Sequence, residues 1–142
     1  MLKPSAQHST EEQVISAATK AIAGEDIDLR FINANHPSTD ATIDKQQVTI
    51  SRSNLPKEQA IPLARGIADS AALTIKLHDK QLHQSLAPTA SMSKALFDLA
   101  EQVRIEAVGS DHMAGIRHNL ADRMDYYIPV SYTHLTLPTI RL

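Results

Sequence analysis

Between Ile61 and Leu77 the chain sets apolar residues at steps of three and four: Ile61, Ala64, Ala68, Ala71 or Ala72, and Ile75. Leu63, Ile67, Thr74 and Leu77 widen that stripe. A helix apolar over so much of its girth cannot rest on a single neighbour and must be surrounded by other elements. Aromatic residues make up only 4% of the chain and Trp is absent, so the surrounding core is built from Ala, Leu, Ile and Val. Such residues suit closely packed helices better than a β-sandwich. With 142 residues the expectation is one domain. A composition of 42% hydrophobic and 21% charged residues fits an ordinary globular protein and excludes both a disordered chain and a membrane bundle.

The first helix is expected to open at Ser9, which forms a capping box with Glu12, and to carry Val14, Ala17, Ala18, Ala21 and Ile22 on its apolar face before Gly24 stops it. Ile27, Leu29 and Phe31 then alternate with polar positions, as do Val48 and Ile50, which predicts a β-hairpin with a long polar connection through Asn33–Lys45. The turn formers Asn35, Pro37, Ser38 and Asp40 make that connection a mobile loop. The central helix begins after Asn54-Leu55-Pro56, with Pro62 in or near its first turn or at a kink. His78–Ala90, containing Pro88, reads as a linker. A third helix follows, capped by Thr89, Ser91 or Ser93, with Leu96, Leu99, Val103 and Ala107 on its apolar face and its end at Gly109. Asp111 caps a fourth, with Met113, Ile116, Leu120 and Met124 on one face. The fold class is therefore mainly α with a small β-hairpin, about four amphipathic helices in one α+β domain.

The last stretch, Pro129–Leu142, breaks this pattern with β-branched and aromatic residues, two prolines and no acidic residue. Its string VSYTHLTLP resembles translated sequencing-adapter read-through. Residues 1–128 are accordingly read as the native domain, a piece of a longer protein, and 129–142 as a non-native tail. The alternative is a native edge strand alternating through Val130, Tyr132 and His134.

The chemistry available is narrow. A formal charge of −2 argues against nucleic acid as a partner. Zero Cys removes disulfides, thiolate nucleophiles and sulfur-ligated metals and is compatible with a cytoplasmic setting. No apolar run reaches the roughly 18 residues of a membrane span. None of the four Gly heads a phosphate-binding loop, and no G-x-S-x-G elbow positions a serine. Among seven His, His78 and His83 are five apart and His112 and His118 six apart, so neither pair shares a face of a straight helix and no metal site is expected. The dipeptide His78-Asp79 resembles the metal-binding pair of HD-type phosphohydrolases; its plainer reading is a histidine favoured at a helix C-terminus. Arg65 with Asp69 (i, i+4) and Glu101 with Arg104 (i, i+3) read as surface pairs. Glu101, Arg104 and Glu106 interrupt an otherwise apolar helix, which makes Arg65, Asp69, Glu101, Arg104 and Glu106 the candidate docking or polar-network residues.

Several words in order resemble the N-terminal region of the CobT family. Lys20-Ala21-Ile22-Ala23-Gly24 followed by Leu29-Arg30-Phe31 matches the family's opening helix and strand, and Leu55-Pro56, Arg65-Gly66-Ile67-Ala68-Asp69, Ala72-Leu73 and His78-Asp79 its long helix. The most specific stretch is Leu96-Phe97-Asp98 with Glu101 to Gly109, then Met113-Ala114-Gly115-Ile116 and Asn119-Leu120; the resemblance runs from about Thr10 to Asp125. It implies a subunit of the aerobic cobaltochelatase, a cytosolic complex that inserts Co²⁺ into hydrogenobyrinic acid a,c-diamide at the expense of ATP. The implied partners are the CobS-like AAA+ ATPase and the CobN-like large subunit, and the implied role is a non-catalytic, chaperone-like one. The family's C-terminal metal-ion-dependent adhesion motif, D-x-S-x-S, does not occur in this sequence. Mg²⁺ binding, ATP hydrolysis and chelation are therefore carried over to no residue, and no cofactor is expected in this piece. Two readings from other classes stand beside it, a metal-dependent phosphohydrolase using His78 and Asp79, and a helical interaction module unrelated to cobalamin.

Overall fold

The computed structural model describes residues 9–35 and 38–136, with side chains to residue 126. Five helices and three strands follow one another as α1 (Thr10–Ala23), β1 (Asp28–Asn33), β2 (Thr42–Asp44), β3 (Gln47–Arg52), α2 (Lys57–Leu77), α3 (Lys80–Leu86), α4 (Ser91–Ser110) and α5 (Ala114–Thr136). The architecture is mainly helical with a small sheet.

Ser9 caps α1 as expected, its side chain accepting the Glu12 N–H at 3.3 Å, and Gly24 closes it in the left-handed region at φ 74°. The face it buries is a different one: Ile15, Thr19 and Ala23 point inward while Val14, Ala17, Ala18 and Ala21 are exposed. The Thr19 hydroxyl donates to the Ile15 carbonyl at 2.7 Å, so a polar residue enters the core without an unmet hydrogen bond.

The two alternating segments do pair, but not as a hairpin. β1 and β3 run parallel, Leu29 opposite Val48 and Phe31 opposite Ile50, and the sheet order is β1-β3-β2. The hairpin lies inside the expected loop, where β2 turns back antiparallel onto β3 through Lys45-Gln46, with Lys45 at φ 55°. Period-two alternation fixes which side chains face the core and carries no information about strand direction. Pro37 lies outside the described residues.

Pro56 precedes α2, and its carbonyl accepts the N–H of both Gln59 and Ala60 at 2.9 Å. Pro62 sits in the second turn, inside the helix. Beyond it the expected stripe is realised: Leu63, Ile67, Ala68, Ala71 and Ala72 join Ile15, Ile27, Leu29, Phe31, Val48 and Ile50 in one core, and Leu73 joins Ile105 and Ile116 in a second. The helix is the spine on which α1, the sheet, α4 and α5 are mounted. Its small residues permit the close approach: a Cβ on Gly66 would stand 2.5 Å from the Asn119 carbonyl oxygen of α5.

The expected linker contains α3, whose N-cap is Asp79, its carboxylate accepting the Leu82 N–H at 3.0 Å. The side-chain cap expected for α4 is not made; Ala90 occupies that position. Gly109 does not end α4 but lies within it, where a Cβ would strike the Leu73 side chain, and Asp111 closes α4 instead of capping α5. Only Ile105 of α4 is buried, so Leu96, Leu99, Val103 and Ala107 face outward, contrary to expectation. On α5, Ile116 is buried and Leu120 partly so, whereas Met113, just before it, and Met124 are exposed. Val130, Tyr132 and His134 lie on helical backbone, so the edge-strand alternative does not form; residues 137–142 lie outside the described set. Among the described residues no helix is long and apolar enough to cross a membrane.

Candidate functional site

The polar residues between the helices gather in two places. In the first, Ser70 of α2 donates to Glu106 Oε1 at 2.7 Å, and Gln102 Nε2 donates both to Ser70 Oγ at 2.8 Å and to Glu106 Oε1 at 2.9 Å. Arg123 of α5 adds Nη1 to the same oxygen at 3.3 Å, gives Nε to the Thr39 carbonyl at 3.2 Å, and pairs with Asp40. One guanidinium thus joins α4, α5 and the loop after β1. Nearby, Asn119 Nδ2 donates to Asp69 Oδ2 at 2.8 Å. Burial pushes the Asp69 carboxyl up, and the Asn119 hydrogen bond and the Arg65 charge oppose this. Arg65 itself is exposed.

The second place is the corner where α2 ends. His78 is the C-cap of α2 in extended conformation, and Asp79 immediately caps α3, so the chain turns sharply between them. His78 Nδ1 lies 2.9 Å from Glu101 Oε1. Arg104 grips the same carboxylate from one turn further along α4, Nε and Nη2 each at 2.7 Å, and Nη2 also reaches the Leu77 carbonyl at 3.2 Å. The carboxyl of Glu101 is held down to about 2, first by Arg104 and then by His78. His83, carried back toward α4 by α3, places Nε2 2.7 Å from Asp98 Oδ1 and stacks on Phe97 at 4.5 Å, while Lys94 donates to the other Asp98 oxygen at 2.9 Å. The hydrogen bond from Lys94, then that from His83, lowers the Asp98 carboxyl. The two imidazoles meet edge to face, 4.9 Å apart.

The five expected residues thus fall into three settings. Glu101 and Arg104 stand at the corner, Glu106 in the interhelical network, and Asp69 against Asn119, while Arg65 acts on Asp69 only through space. Sequence reasoning missed Ser70, Gln102, Asn119 and Arg123, and it missed His83 because the i, i+5 test assumes one straight helix. The signal that breaks that assumption was present: Asp79 stands three residues before Leu82, an N-cap spacing directly after His78. His78 and Asp79 turn to different partners, Glu101 and the Leu82 N–H.

One further recess, of about 280 Å³, lies between α1, the sheet and the start of α2, floored by Ile15, Phe31, Ile50 and Leu63. Arg52 and Lys57 at its rim are already neutralised by Glu12 and Glu11.

The sequence model of the cobalamin biosynthesis protein CobT matches residues 8–129. The chain belongs to the CobT family. The match takes in both polar clusters, every described strand and α1 to α4. No solved structure matches the chain. Membership in the CobT family implies a role in cobalamin biosynthesis.

Proposed function

We propose that this CobT-family chain is a non-catalytic, chaperone-like assembly subunit of the cytosolic cobaltochelatase that inserts cobalt into hydrogenobyrinic acid a,c-diamide with ATP hydrolysis. Its partners in this reading are the CobS-like AAA+ ATPase and the CobN-like large subunit. The observation that carries the reading is the outward face of α4. Met92, Leu96, Leu99 and Val103 are 74%, 59%, 60% and 59% exposed, at spacings that place them on one side of the helix. Leu82 and Leu86 of the adjoining α3 are also exposed. A contiguous apolar stripe turned to solvent marks a surface that another protein covers. The family supplies the partner, and the ATPase is the one proposed to cover this stripe. In the same reading residues 1–128 form the native domain and Arg104 and Glu101 border the docking face.

The test is retention of the chain on a purified CobS-type ATPase, with and without ATP. Retention that disappears when Leu96 and Leu99 are both changed to Asp supports the reading. No retention of a sample shown folded by circular dichroism, or retention unaltered by the double substitution, overturns it.

A further inference from the structure

We infer that the corner between α2 and α3 is a binding site for a divalent transition-metal ion, with His78, His83 and Glu101 as its ligands. One donor atom from each lies within 4.8 Å of the other two, and no other group of three or more His, Cys, Asp or Glu comes as close among the described residues. The three line one recess with Asp98 and Gln102, floored by Ile105, and all three ligand residues are partly buried. In a tetrahedral site with metal–nitrogen bonds of about 2.1 Å, the donors stand roughly 3.4 Å apart. The widest of these separations therefore has to close by at most about 1.4 Å. That adjustment falls on α3, a seven-residue helix with no fully buried side chain, and so disturbs no core packing.

The donors specify the ion. Two neutral imidazoles with one carboxylate suit Zn²⁺, Co²⁺ or Ni²⁺, whereas Mg²⁺ requires an oxygen cage that this recess does not offer. Arg104 holds Glu101 through both carboxylate oxygens and Asp98 orients His83 through Nε2, the kind of outer support that metal-binding carboxylates and imidazoles receive. The site does not depend on the docking reading, because its ligands are complete within one chain.

The probe is Co²⁺ alone, added to the tag-free full chain and followed by its visible d–d absorption and by calorimetry. The expected result is one ion per chain, competed by Zn²⁺ and not by Mg²⁺. His78→Ala and His83→Ala should each weaken binding by about tenfold or more. Asp79→Asn, which keeps the α3 cap, should leave it unchanged; this also separates the site from a His78-Asp79 phosphohydrolase pair, which needs Asp79. His83 lies on the least buried helix, so His83→Ala with an unaltered apo circular dichroism spectrum decides the matter should His78→Ala unfold. Absence of saturable binding overturns the inference. So does binding that survives both histidine substitutions, equal competition by Mg²⁺, or loss of binding in Asp79→Asn.

Discussion

Gly66 and Asp69 lie one turn apart on α2, and both meet α5 through Asn119. In an isolated helix Gly66→Ala gains about 1 kcal/mol of propensity. Here the new Cβ stands 2.5 Å from the Asn119 carbonyl oxygen and 2.6 Å from Arg123 Cβ, and backbone cannot swing aside as a side-chain tip can. The overlap should win: Gly66→Ala is expected to destabilise by about 1–3 kcal/mol, read as a lower melting temperature. Asp69 makes the opposite kind of prediction. Burial raises its folded-state pKa above the ordinary 3.8, so the native chain holds this proton more tightly than the unfolded one. Its contribution to stability is therefore fullest below 3.8 and falls as pH rises through the raised folded value. Asp69→Asn stays neutral and can still accept from Asn119. Urea midpoints of the two proteins should separate with rising pH, the variant being the more stable at neutrality; a constant difference would contradict the assignment.

Helix α4 has two faces with different duties, and substitutions should sort by face. Ile105→Ala removes a side chain only 1% exposed and is expected to cost about 2–5 kcal/mol. Leu99→Asp, at a position 60% exposed, should change stability by no more than about 0.5 kcal/mol while weakening capture by the ATPase. Chemical denaturation of both variants beside the capture assay checks the division. The same helix shows how far the sequence could be read. The stripe Leu96, Leu99, Val103 was visible as an apolar face, but periodicity reports that a face exists and not that this chain covers it. For α2 the reading succeeded because apolar residues cover most of the girth of its middle, where Gly66–Leu73 are all buried, and leave little solvent face to misassign. For β1 and β3 the inward residues were legible and the direction was not. The histidine corner was hidden for a related reason: the donors belong to two helices and become neighbours only through the break at His78–Asp79, which no single-helix spacing represents.

The molecule hangs together through α2, since the sheet core and the α4–α5 core touch different stretches of the same helix. Local openings that free α3 leave that spine covered. Hydrogen exchange should accordingly be slowest across Gly66–Leu73, the continuously buried run, and fastest in α3, where no residue is buried. Exchange through α2 at rates matching α3 would show that the two cores do not share a spine. The sheet order has a consequence in time. With β3 in the middle, β1 has no strand to pair with until residue 52 exists, and the inward side of both strands has no floor until α2 is complete at Leu77. Synthesis proceeds at about 5–20 residues per second. For some seconds on the ribosome, then, Leu29 and Phe31 are displayed on an open strand edge, and the nascent chain's need for a chaperone is greatest in that interval.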